Sequence, residues 1–190
     1  MDKKEILRIF DETGALQNGH FLLSSGLHST QYFQCALVLQ YPEYLEALCR
    51  DIIDFYHEDE DISVVIAPAI GGIVVAQELA RQLGARAIYA EREDGKMRLR
   101  RGFYIDENEK VLVCEDVITT GASVQELIDI VEAAHGYPIG VGAIVDRSGG
   151  KAQFDIPLFS TVQVKAVTYK PETCPLCRQN RPLTKPGSRR

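Results

Sequence analysis

The stretch Val111-Leu-Val-Cys-Glu115-Asp116-Val-Ile-Thr119-Thr120-Gly121-Ala-Ser123 constrains this chain more than any other. It opens on a short apolar run, Lys110 to Cys114, rich in β-branched residues and of the right length for a buried strand. Two adjacent carboxylates follow that run. A small, hydroxyl-rich loop comes next, Thr119 to Ser123, with Gly121 at its bend. Val124, Leu127, Ile128 and Val131 then recur at helical spacing. A helix start offers unpaired N–H groups and the positive end of a dipole, which suits a phosphate. The Thr and Ser hydroxyls add donors, and the carboxylates accept from ribose hydroxyls or hold a metal ion through its water shell. The plainest competing account is local: Ser123-Val-Gln-Glu126 reads as a capping box, and Asp116 as a turn residue. That account leaves the paired acids and the two threonines without a role.

Known phosphate loops narrow the choice. A Walker loop is excluded because the Gly-Lys-Ser/Thr ending is missing. A dinucleotide fingerprint is excluded because the loop has a single glycine. A second strand, Ser63 to Ala67, runs into Pro68-Ala69-Ile70-Gly71-Gly72 and a helix over Ile73 to Leu83. By itself this loop reads as a tight turn between strand and helix. Arg86 to Ala90 is a third strand. Ile139 to Val145 is another, ending in Asp146-Arg147-Ser148-Gly149-Gly150. An arginine there either pairs with a planar carboxylate or is a surface residue of a turn. Strands alternating with helices imply a mainly parallel sheet covered on both faces, with both glycine loops at its carboxyl edge.

The remaining segments frame this centre. Residues 3–12 predict a helix with Ile6, Leu7 and Phe10 on one face, followed by a polar connection from Thr13 to His20. Residues 21–34 predict a hairpin turning at Gly26. Pro42 to Tyr56 predicts a helix and residues 57–62 an acidic loop. Residues 91–102 are dense in charge, lack periodicity and read as a long loop, a common form of lid. Residues 158–169 carry one or two more strands. The whole, 190 residues, is the size of one domain. Net charge is −6, which argues against general nucleic-acid binding. No apolar run is long enough to span a bilayer, and the charged start, Met-Asp-Lys-Lys-Glu, is unlike a secretory signal, so the expected compartment is the cytoplasm. Five cysteines do not suggest a disulfide framework. Cys174-Pro-Leu-Cys177 reads as a structural or incidental pair. Zinc wants four ligands, and His28 and His135 are far away in sequence.

The thirteen residues 111–123 resemble the phosphoribosyl pyrophosphate (PRPP) motif of type I phosphoribosyltransferases. Residues 21–34 resemble the N-terminal hood of the orotate-specific members, Phe-x-Leu-x-Ser-Gly followed by aromatics. Here Ser24 stands where many carry lysine. The resemblance implies an α/β type I phosphoribosyltransferase fold with an N-terminal hood (about 1–40, with C-terminal contributions), a mobile catalytic loop (about 91–102) and a tail (about 171–190). It implies transfer of a 5-phosphoribosyl group from PRPP to orotate in pyrimidine synthesis, with Mg²⁺ held mainly through PRPP and water. PRPP would be bound by Glu115, Asp116, Val117, Ile118, Thr119, Thr120, Gly121, Ala122 and Ser123. Its diphosphate would lie on Ala69, Ile70, Gly71 and Gly72. Orotate would meet Thr119, Arg147, Ser24 and Phe33. Glu115 and Asp116 would act in catalysis together with Arg92, Lys96 and Arg98, which stand in for a Lys-x-x-Lys-x-His pattern whose histidine is absent here. A homodimer is implied, its basic loops reaching across, with neither nucleic acid nor membrane as partner. A purine phosphoribosyltransferase and a PRPP-sensing regulator of the same fold remain as alternatives.

Overall fold

The computed structural model describes residues 1–23, 25–56, 61–164 and 167–186. Helix α1, Lys3–Glu12, is capped by Asp2, whose carboxylate accepts from Glu5 N at 2.8 Å. It buries Ile6, Ile9 and Phe10, so Ile9 takes the place expected of Leu7. Strands β1, Leu16–Leu22, and β2, His28–Phe33, form the hood hairpin. β1 therefore begins inside the segment expected to be a connection. A short helix α2, Ala36–Leu39, leads to α3, Pro42–Phe55. Most of the acidic loop expected over 57–62 lies outside the described residues.

The central unit then repeats strand and helix: β3 (Ile62–Pro68), α4 (Gly71–Leu83), β4 (Arg86–Glu93), β5 (Lys96–Leu99), β6 (Lys110–Ile118), α5 (Ala122–Ala133), β7 (Tyr137–Asp146) and β8 (Leu158–Gln163). Its six strands lie in the order β5-β4-β3-β6-β7-β8, parallel throughout except for the antiparallel β4–β5 pair. Successive side chains of a strand face opposite sides of a sheet. Val65, Ala67, Leu112 and Cys114 accordingly pack with α1, α3 and α4, whereas Val64, Ile66, Val111 and Val113 pack with α5. Both faces are covered, which is why these strands read as unbroken apolar runs. No helix among the described residues is long and apolar enough to cross a membrane.

Strand β9, Thr168–Tyr169, adds to the hood by pairing with His28 and Ser29. Helix α6, Pro175–Arg178, follows, and Thr184 then bonds back to β1 through Leu22 N at 2.8 Å and His20 O at 2.9 Å.

Four expectations need correction. The acidic pair does not follow its strand; β6 continues through it, because Val117 and Ile118 still pair with Val145 and Asp146. The charged segment 91–102 is not irregular throughout, since Ala90–Glu93 pair with Lys96–Leu99 in a hairpin. The capping box does not form. Gly121 is the N-cap of α5, and Glu126 instead accepts from Arg92 and from Met97 N. Cys174 and Cys177 are not remote from histidine, because folding brings them to His20 and His28.

Candidate active site

β3 and β6 are neighbours in the sheet, so the loops that leave their carboxyl ends lie side by side. α4 starts at Gly71 after Ile70 and α5 at Ala122 after Gly121, and neither helix has a side-chain cap. Two helix starts thus turn open N–H groups toward one edge, a favourable setting for phosphate oxygens. Gly121 has φ 83°, a left-handed conformation suited to glycine, and a Cβ there would lie 3.0 Å from the ring of Phe154. Residues 117–124, with Glu115, line a cradle around this turn. Thr119, Thr120 and Ala122 are exposed within it. Thr120 Oγ1 lies 3.4 Å from Ala122 N.

The loop between β3 and α4 reaches the same point. Ala69 and Ile70 are joined by a cis peptide bond, and Ile70 is 85% exposed. At position 71 a Cβ would fall 2.5 Å from Asp116 Oδ2, so the loop backbone touches the acidic pair only because the residue is glycine. Glu115 is buried, and burial, with Asp116 beside it, holds its carboxyl well above the usual carboxylate range. The Asp116 carboxylate with the Glu115 carboxyl beside it offers hard oxygens that fit ribose hydroxyls and a hydrated Mg²⁺.

Arg147 completes the edge. The carboxylate of Asp146 accepts from Ser148 N at 2.7 Å, and Arg147 N donates to Ile118 O at 2.8 Å. These bonds fix the turn against the PRPP-like strand. The guanidinium lies 5.8 Å from the ring centroids of both Tyr32 and Phe33. It is half-buried, and that burial lowers its pKa. Its Nε is buried without a hydrogen-bond partner among the described residues. A desolvated guanidinium edge with an unpaired donor calls for a planar anion. Tyr32 thus belongs with Phe33 at this position, although sequence reasoning did not single it out as a site residue. Its place next to Phe33 in the aromatic pair was the available signal. Cys35, two residues past the end of β2, brings Sγ to 3.9 Å from Asp116 O. Ser24 lies outside the described residues.

The basic residues of the hairpin are not equivalent. Arg92 is engaged by both carboxylate oxygens of Glu126, at 2.6 and 3.2 Å, and donates to Gly95 O at 2.6 Å. Arg101 holds Glu91 at 2.8 Å. Arg98 meets Glu93 only at 3.8 Å. Lys96 is exposed.

Comparison with known proteins identifies the family. The phosphoribosyl transferase domain family matches residues 40–171. An orotate phosphoribosyltransferase of a Thermoanaerobacter species is 53% identical over 190 residues, covering all of both chains. One from Caldicellulosiruptor saccharolyticus is 54% identical over 190 residues, covering 100% of this chain and 99% of its own. The crystal structure of orotate phosphoribosyltransferase from Aeropyrum pernix superposes with a TM-score of 0.69 at 25% identity, covering 84% of this chain and 94% of the other.

Proposed function

This chain belongs to the phosphoribosyl transferase family, and from that premise we infer that it is an orotate phosphoribosyltransferase. It moves the 5-phosphoribosyl group of PRPP onto orotate, giving orotidine 5′-monophosphate and diphosphate in pyrimidine biosynthesis. The observation that carries the choice of base is Arg147, a half-buried cation 5.8 Å from two hood rings whose buried Nε has no hydrogen-bond partner among the described residues. Orotate supplies the planar carboxylate such a group needs; a purine does not. The test is loss of orotate absorbance with PRPP present, beside parallel reactions with hypoxanthine, xanthine and adenine. Turnover of a purine in preference to orotate would sink the assignment.

The chemistry proposed for the site needs no covalent nucleophile. The amides and hydroxyls of residues 119–123 hold the 5′-phosphate. Glu115 and Asp116 accept from the ribose hydroxyls and face the positive charge that develops on the sugar. The amides of residues 69–72 hold the diphosphate as it leaves. Thr119 and Phe33 border the base and Arg147 orients it. Catalysis is then positioning plus electrostatic stabilisation. Glu115 and Asp116 would hold a Mg²⁺ ion through its water shell, alongside the substrate's oxygens, and the ion would supply neutralising charge for the diphosphate.

The basic hairpin is assigned to cover the site, as one of a homodimer's pair of shared loops. Arg92 is anchored to its own subunit through Glu126, which leaves Lys96 and Arg98 as the residues proposed to reach the diphosphate. Two inactive variants test this: Asp116→Asn, and Lys96→Ala combined with Arg98→Ala. If the hairpin serves the neighbouring subunit, a mixed dimer has one site with both defects and one with neither. Subunit exchange should then restore up to about half of wild-type activity per mixed dimer on a C₂ count. No recovery on mixing would place the hairpin over its own subunit's site, and a monomer in sedimentation would remove the dimer itself.

A further inference from the structure

Outside the active edge, the hood and the tail meet in a group that the transferase reaction does not use. His20 on β1, His28 on β2, and Cys174 and Cys177 around α6 bring one ligand atom each within 4.8 Å of one another. We propose that these four side chains bind one Zn²⁺ that pins the C-terminal tail to the hood.

The distances match the edges of a tetrahedral site. With Zn–S near 2.3 Å and Zn–N near 2.0–2.1 Å, a tetrahedron sets N···S edges at about 3.6 Å and an N···N edge at about 3.3 Å. Cys174 Sγ lies 3.5 Å from His20 Nε2, and Cys177 Sγ lies 3.7 Å from His20 Nε2 and 3.3 Å from His28 Nδ1. The two imidazole nitrogens are 2.9 Å apart, so they open by a few tenths of an ångström on binding. Two thiolates and two imidazoles in this shape select zinc among common divalent ions. No fifth protein ligand is needed, which marks a structural rather than a catalytic site.

The surroundings favour the same state. The backbone carbonyl of Arg181 lies 3.0 Å from His20 Nδ1 and can only accept, so Nδ1–H is the donor of that bond. His20 Nε2 is left with its lone pair toward the cluster, the usual arrangement behind a metal-bound histidine. His20, His28 and Cys174 are 4%, 4% and 1% exposed, so bulk water does not serve them, while Cys177 closes the group from the solvent side. Binding one Zn²⁺ releases the two thiol protons to solvent and leaves the site neutral overall. The bond network around the site explains what the metal would hold. Among the described residues, β9 pairs with the hood at two positions, and Thr184 returns to β1 through two backbone bonds. A metal joining β1, β2 and α6 ties these weak attachments together, close behind the strand that carries Tyr32 and Phe33.

The inference does not depend on the base assigned above, and its tests do not read activity. Wild-type protein purified without chelator should contain one zinc per chain by elemental analysis. Removing zinc with a strong chelator and titrating Co²⁺ should produce the intense visible bands of tetrahedral cobalt and a thiolate charge-transfer band, saturating at one equivalent. Cys174→Ser should lose most of the zinc, and so should His28→Ala. Hydrogen exchange in residues 16–22 and 168–184 should accelerate together when wild-type protein loses its metal. Substoichiometric zinc with no cobalt charge-transfer band, zinc fully retained in Cys174→Ser, or a Cys174–Cys177 disulfide in the freshly purified protein would each overturn the site. Unchanged exchange on chelation would overturn the pinning role.

Discussion

Asp116→Asn is expected to lower kcat/KM by on the order of 10²- to 10³-fold, the scale of losing one preorganised electrostatic contact to a charge that develops in the transition state. The isosteric amide keeps the strand position, and Asp116 N, which lies 3.3 Å from Glu115 Oε1, is unaffected. The fold should therefore survive, and the linked stability has a definite sign. Burial first, and Asp116 second, raise the pKa of Glu115 in the folded protein. A folded state that keeps a proton the unfolded chain has released becomes less stable as pH rises through that interval. Removing the charge of Asp116 takes away part of the cause, although burial remains. The variant should melt no lower than its parent at neutral pH, and any gain should vanish once pH falls below the ordinary carboxylate range. The measurements are steady-state kinetics and melting curves at several pH values. A variant with normal kinetics would remove Asp116 from the catalytic account, and one that melts much lower at pH 7 would make it a structural residue.

The part of this site that the sequence made legible is the part built from local order. Strand, acids, glycine and helix lie consecutively between Lys110 and Val131, and a strand buried on both faces has few other ways to be written. What escaped depended on partners far along the chain. The continuation of β6 through Glu115 and Asp116 is decided by pairing with β7, not by the residues themselves. β5 has the sequence Lys-Met-Arg-Leu and lies at the sheet edge, where charged residues are common and periodicity is weak, so it resembled a loop. Ser123 and Glu126 had the right spacing for a cap, but Glu126 found a bidentate arginine on the neighbouring hairpin. The His–Cys group combines residues more than 140 positions apart, since His28 and Cys177 are separated by 149. Chemistry alone left Arg147 two readings, partner of a planar carboxylate or surface residue of a turn; the hood rings and the buried Nε without a partner among the described residues come from tertiary structure.

Arg147→Ala should weaken orotate by about one to two decades and leave PRPP almost unchanged. A hydrogen-bonded contact to a charged group contributes about 1.5–3 kcal/mol, and each 1.4 kcal/mol is about a tenfold change in affinity. The free protein should not suffer in proportion. The guanidinium is half-buried, its burial already disfavours the charged form, and it makes no ion pair among the described residues. Its attraction to the faces of Tyr32 and Phe33 offsets only part of that desolvation. Melting temperature should thus stay level or rise, the opposite of what a structural arginine gives. Lys at this position keeps the charge but loses the planar fork, so Arg147→Lys should recover only part of the orotate affinity. Uracil, which lacks the carboxylate, provides the internal control. Wild type should discriminate strongly between orotate and uracil, and Arg147→Ala should narrow that gap by the same factor that it loses on orotate. Equal losses on orotate and PRPP, or an unchanged orotate-to-uracil ratio, would show that Arg147 holds something other than the carboxylate of the base.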